Sequence, residues 1–166
     1  MTSSESVLQM TAVAMLRTLY PSLLLNLSLN GISLKGLSSK QKSQLIMQAK
    51  REGLTTGIPD LLIYLPEGKV LNLEFKRPDG KGVQSSDQVE VQQQLTNLGH
   101  NYYLVSSIDQ VFTAIAEHTD SAFRADQLRS LDIPQSSGIA TEQFLHWPAS
   151  TDISIIIDEL MKLYYI

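Results

Sequence analysis

Three charges, Asp60, Glu74 and Lys76, interrupt the apolar runs of the stretch GIPDLLIYLPEGKVLNLEFKRPDG, from Gly57 to Gly80. Burying a sheet does not ask for them. Two carboxylates held close together repel unless a cation sits between them. Lys76 alone would do that. A divalent hard cation would do it better, because Mg²⁺ prefers carboxylate and carbonyl oxygens, with waters completing an octahedron. Pro59 offers no N–H and fixes φ, which helps present Asp60 at a strand entrance.

Whether the three charges meet depends on the turn between them. Leu65-Pro66-Glu67-Gly68-Lys69 has the composition of a tight turn. With Pro66 to Gly68 as a three-residue loop, Leu65 faces Lys69, Tyr64 faces Val70 and Asp60 faces Glu74. Opposed side chains share a face, with Cβ atoms roughly 4.5–5.5 Å apart. Lys76 joins Glu74 there because side chains alternate along a strand. The other face then carries Leu61, Ile63, Leu65, Leu71, Leu73 and Phe75, all apolar. A two-residue turn would put Asp60 opposite a core residue, which is physically worse. A purely structural reading competes with chemistry here: a buried Lys–carboxylate network, or an exposed polar face of the sheet.

The elements around this hairpin are readable in outline. Thr2-Ser3-Ser4-Glu5 resembles a capping box opening a helix that runs to about Tyr20 and stops at Pro21. Leu25, Leu27 and Leu29 alternate with Asn26, Ser28 and Asn30, the period of a half-buried strand. A Gly/Ser-rich loop precedes a polar, basic helix from about Lys40 to Glu52. Gly53 and Gly57 bracket the turn into the hairpin. Ser85 caps a Gln-rich helix ending at Gly99. A strand from Tyr102 to Ser106 and a helix from Ile108 to about His118 follow. Further on, the pattern predicts a helix near 121–130, a loop around Pro134 to Gly138, and an amphipathic helix from about Asp152. This order implies a mixed sheet with helices on its faces, an α/β architecture.

Composition narrows the classes. The chain has 166 residues and no cysteine, which excludes disulfides, thiolate zinc sites, iron–sulfur clusters and a cysteine nucleophile, and fits a reducing cytoplasm. No apolar run reaches the roughly 18 residues of a membrane span, and no secretory signal is seen. Net charge is −4, but residues 35–81 hold nine Lys/Arg against five Asp/Glu, while residues 82–166 hold three against eleven. Basic charge is thus gathered around the hairpin, a weak signal for a polyanion.

Gly57-Ile58-Pro59-Asp60, then Leu73-Glu74-Phe75-Lys76-Arg77-Pro78, then Ser85-Ser86-Asp87-Gln88 and the closing Gly99 resemble the virus-type replication-repair nucleases (VRR-NUC) of the PD-(D/E)xK superfamily. The resemblance spans about Glu5 to Glu117. It implies a restriction-endonuclease-like αβββαβ core over residues 1–118, with 119–166 as a C-terminal helical extension packed on the core or used for dimerisation. It also implies metal-dependent cleavage of phosphodiester bonds in DNA. Asp60 and Glu74 match the metal-binding carboxylates, Lys76 the motif lysine and Gln88 the helix glutamine. The Phe75 carbonyl is expected as another ligand, and Glu5 matches an acid that some members carry on the first helix. Free-standing phage and bacterial members are similar to Holliday-junction resolvases and act as dimers in the cytoplasm; members fused to other domains cut flaps or branched structures.

The chemistry of the residues agrees. Mg²⁺ or Mn²⁺ lowers the pKa of a coordinated water and stabilises charge on phosphoryl oxygens. Lys76 beside the attacking water would orient it and stabilise the transition state. Lys40, Lys42, Lys50, Arg51, Arg77 and Lys81 would hold the DNA backbone without reading bases. Two assignments stay open: Ser85-x-x-Gln88 and Thr2-x-x-Glu5 are each capping boxes as well as site candidates. The C-terminal Ile153, Ile156, Ile157, Leu160 and Met161 suit either core packing or a dimer interface. His100, His118 and His146 show no ligand spacing. Asn26 and Asn30 read as solvent-facing, and Trp147 as packing. The expected function is a metal-dependent nuclease of branched DNA. Its rivals are a flap, end-processing or restriction-type nuclease, and a non-cleaving nucleic-acid-binding or phage structural module.

Overall fold

The computed structural model describes residues 4–28, 36 and 38–129. The first helix, α1 (Ser4–Leu19), buries Leu8, Ala12, Leu16 and Leu19, a stripe recurring every three to four residues. The Thr2 end of its expected capping box lies outside the described residues. Strand β1 (Leu24–Leu27) follows, then α2 (Ser39–Arg51), β2 (Leu61–Tyr64), a 3₁₀ turn (Pro66–Gly68) and β3 (Val70–Phe75). The chain continues through α3 (Ser86–Asn97), β4 (Asn101–Val105), α4 (Ile108–His118) and α5 (Ser121–Arg129). The expected loop at Pro134 to Gly138, the helix from Asp152, His146 and Trp147 fall outside the described residues.

The four strands form one mixed sheet in the order β1-β2-β3-β4. β1 and β3 each pair antiparallel with β2, while β4 runs parallel to β3. The β2–β3 register pairs Tyr64 with Val70, Ile63 with Leu71 and Leu61 with Leu73. That is the pairing of the three-residue turn. Glu67 sits in that turn at φ 62, a left-handed conformation uncommon outside glycine.

Leu61, Ile63, Leu71, Leu73, Phe75 and Val105 bury one face of the sheet against α1 and α4, with Val111, Phe112, Ala114 and Ile115 completing the core. α3 covers part of the opposite face and buries Val91. Beyond α4, Phe123 of α5 stacks on Tyr20 at 6.4 Å, and Ser22 Oγ donates to Gln127 Oε1 at 2.7 Å.

Two elements depart from simple periodicity. Leu25 is half-buried, yet Leu27 on the same parity is 61% exposed, because β1 is an edge strand and its far end opens onto a groove beside α1. α2 buries none of its residues. Its formation owes more to the reciprocal Ser38–Gln41 capping box than to core contacts.

Candidate active site

The hairpin brings Asp60, Glu74 and Lys76 to one place, on the face opposite the core. Asp60 precedes β2, and its Oδ2 accepts the backbone N–H of Phe75 at 2.9 Å. Glu74 is 1% exposed, a carboxylate carried into the interior by a strand that buries its neighbours as well. Its Oε1 accepts from Lys76 Nζ at 2.9 Å and from Gln88 Nε2. Gln88 Oε1 accepts in turn from Lys76 Nζ at 3.0 Å.

Gln88 caps its helix and also contacts the candidate site. Ser85 Oγ accepts the Gln88 N–H at 3.3 Å while Gln88 Oε1 accepts the Ser85 N–H at 2.9 Å, a complete capping box. The same side chain ties the start of α3 to Glu74 and Lys76.

Burial pushes Glu74 up to about 7; the hydrogen bond from Lys76 opposes this, and the charges of Asp60 and Glu5 add to it. Asp60 is raised too, chiefly by burial, against the downward pull of the Phe75 N–H and of Lys76. Two desolvated acids and one ammonium leave the site short of positive charge. Glu74 Oε2 is buried with no hydrogen-bond partner among the described residues. Buried polar atoms rarely stay unpaired, and a hard cation would supply what this oxygen lacks. The donor set of Asp60, Glu74 and the Phe75 carbonyl is all oxygen and fits Mg²⁺ or Mn²⁺.

Glu5, the further acid that the resemblance brings to the site, lies on α1 beside it. Among the described residues no three His, Cys, Asp or Glu side chains are grouped to hold a metal ion. α1 brings Glu5 near enough to raise both acids electrostatically, but not into a three-acid cluster.

The basic residues divide into two groups. Arg77 and Lys81 flank the site on the loop after β3, both exposed; Arg77 Nη2 pairs with Asp79 Oδ2 at 2.6 Å. An exposed pair of this kind contributes little, so a phosphate would exchange with it readily. Lys40, Lys50 and Arg51 lie exposed on one side of α2 and Lys42 is half-buried. Leu45 and Ala49 take the side opposite Lys40 and Arg51, and Ile46 lies one turn from Lys50. His100 is exposed, and His118 Nε2 meets Tyr103 OH at 2.6 Å, in a cluster that includes none of the site residues.

The sequence reading has Gly57 as a turn and motif residue without its packing on α3, and it does not bring Gly82 or Tyr102 to the site. Gly57, at φ 82, lies so close to α3 that a Cβ there would sit 2.5 Å from the Asp87 carbonyl carbon and oxygen. Gly82 passes over Lys76 in the same way, its Cβ position 2.8 Å from the Arg77 nitrogen and 3.3 Å from Glu5 Oε1. Tyr102 pairs in register with Asn72 and shares the Glu74 face; burial and the Glu74 charge push its hydroxyl up to about 12. Gly57 and Gly82 had a visible signal, glycine beside a charged motif. Tyr102 had none without the β3–β4 register.

No family model matches the chain, and no curated protein matches it. Solved structures do match in fold. One, a "VRR_NUC domain protein", is 20% identical over 70% of this chain and 88% of its own, at a TM-score of 0.50. Another, a "VRR_NUC domain", is 22% identical over 71% of this chain and 100% of its own, at a TM-score of 0.46. The chain resembles the VRR-NUC fold, a restriction-endonuclease-like α/β architecture with a mixed four-stranded sheet flanked by helices.

Proposed function

We propose that this protein is a Mg²⁺- or Mn²⁺-dependent DNA endonuclease that hydrolyses phosphodiester bonds in branched DNA, in the manner of a junction resolvase. The observation that carries this reading is the buried Glu74, unpaired at Oε2, facing the same side as Asp60 and tied to Lys76 and Gln88. Likeness in fold to VRR-NUC domains supports it.

In this reading Asp60, Glu74 and the Phe75 carbonyl hold the metal ion. When bound, the ion supplies a more acidic water and charge stabilisation at the scissile phosphate. The Phe75 N–H fixes Asp60, and Gln88 fixes Glu74. Lys76 keeps an ammonium beside both, where it orients a nucleophilic water and offsets charge developing on phosphoryl oxygens. Arg77 and Lys81 grip the backbone next to the cut, and the exposed face of α2 holds a more distant stretch through Lys40, Lys50 and Arg51, with Lys42 assisting. Residues 1–118 make up the nuclease domain, working in the cytoplasm. Residues 119–166 extend it and serve to pair two copies, because a junction offers two scissile strands to a two-fold enzyme.

The test uses the protein and Lys76→Ala on a synthetic four-way junction, a flap and a linear duplex, with Mg²⁺, Mn²⁺ or EDTA. Metal-dependent cutting that is strongest on the junction and lost in the variant is expected. Binding without cutting under every metal condition would overturn the enzymatic reading.

A further inference from the structure

We propose that the groove between α1 and the edge strand β1 is a subsite for unpaired nucleotides of the strand that enters the active site. Its volume is about 600 Å³, and Asp60 forms part of its wall. The inference rests on the nuclease reading of Asp60, but its own chemistry comes from other residues.

The groove has a direction. Its Asp60 end is closed by Ser28, whose N–H donates to the Asp60 carbonyl at 3.0 Å. From there it follows α1 toward Arg17, about 16 Å from Ser6 along the helix axis. Met10 and Leu27 line it at 58% and 61% exposure, with Val13 also in its wall. Arg17 forms no ion pair among the described residues.

These features match one kind of occupant. Aliphatic walls such as Met10, Val13 and Leu27 can cover the faces of bases without regard to sequence. The Arg17 guanidinium suits a phosphate further along the strand. The volume lies within the range of small-ligand sites, roughly 300–1,000 Å³, which suits one or two nucleotides and not a duplex. Bases stacked in a helix cannot present their faces to Met10 and Leu27. The strand must therefore be open on that side of the cut, as in a flap arm, a gap or an unstacked arm of a junction.

The test measures binding of the full chain, in EDTA, to a fluorescent fork with unpaired arms and to a blunt duplex of equal length. The variants are Met10→Ser/Leu27→Ser and, separately, Arg17→Gln. All three side chains are exposed, so these changes spare the core, and a thermal melt checks this. The double variant is expected to weaken fork binding at least about fivefold while duplex binding changes less than about twofold. Arg17→Gln is expected to reduce the salt dependence of fork binding alone. Equal losses on both probes, or an unchanged fork affinity, would overturn the subsite and assign the groove to a protein segment. Cutting assays keep the two ideas apart. Fork preference that depends on Met10 and Leu27, without cutting under any metal, retains the groove and removes the nuclease reading. Cutting whose fork-to-duplex ratio ignores the double variant does the reverse.

Discussion

Asp60 Oδ2 accepts the N–H of Phe75 at 2.9 Å, so an acid outside β2 is fastened to the residue that separates Glu74 from Lys76. The hydrogen bond makes backbone, and not only side-chain packing, responsible for where Asp60 points. Asparagine can accept the same hydrogen bond without the charge, and alanine cannot. Asp60→Asn is expected to melt at or above the parent, since its buried charge is gone, while Asp60→Ala loses about 1–2 kcal/mol. Both should cut DNA at least about 100-fold more slowly. An Asn variant that cuts normally would remove Asp60 from the chemistry.

Glu74 gives a pH dependence of defined sign. Its folded value, about 7, lies above the ordinary 4.5. The folded protein thus holds a proton that the unfolded chain releases between these values. The stabilisation is full below about 4.5 and is lost as pH rises through about 7, on the order of 3 kcal/mol in total. In EDTA the melting temperature should fall from pH 5 to pH 8, with Asp60 adding in the same direction. Glu74→Gln should flatten most of that slope, and Mg²⁺ at pH 8 should restore stability to the parent but not to the variant. Parallel slopes in parent and variant would refute the assignment.

Ser85 and Gln88 separate capping from site geometry. Ser85→Ala removes the acceptor of the Gln88 N–H but leaves the Ser85 N–H in place for Gln88 Oε1. It should cost about 1 kcal/mol of stability and leave cleavage within a few-fold of the parent. Gln88→Ala removes a donor to Glu74 and should raise the Mg²⁺ concentration needed for half-maximal cutting by about 10- to 100-fold. If both variants shift the metal requirement equally, Gln88 acts only through the helix.

Gly57 and Gly53 share positive φ angles, 82 and 103, but only Gly57 has backbone against its missing Cβ. Gly53→Ala should cost about 1–2 kcal/mol from conformation alone. Gly57→Ala adds a clash with the first turn of α3 and should cost about 1–3 kcal/mol more, with cutting impaired beyond what stability explains. Chemical denaturation with paired activity assays distinguishes the two.

Much of this site was legible because it lies within one hairpin. Alternation along β2 and β3 sorted Leu61, Ile63, Leu71 and Leu73 from Asp60, Glu74 and Lys76, and only one turn length satisfied both faces. Ser85 and Gln88 were legible as a cap and as site members; that one side chain does both requires α3 to sit over Glu74, which spacing alone does not fix. Tyr102 was missed for the same reason, since its neighbours come from parallel pairing. Glu5 shows the converse: its position on α1 was readable, but its reach was not. The exposed Leu27 shows that alternation predicts burial only where a second layer covers the strand.

The reactive trio spans seventeen residues, Asp60 to Lys76, closed by a three-residue bend. Closing so short a loop carries little entropy, and hairpins form in about 1–10 μs. The pairing of Asp60 with Glu74 is therefore expected to form early in folding, before the longer β3–α3–β4 crossover docks. Truncations of the opposed pair Ile63 and Leu71 should slow refolding nearly in proportion to their destabilisation, whereas changes in α3 should chiefly speed unfolding, as stopped-flow measurements would read. With that outcome, a single substitution in this hairpin would act on folding and on the proposed site at once.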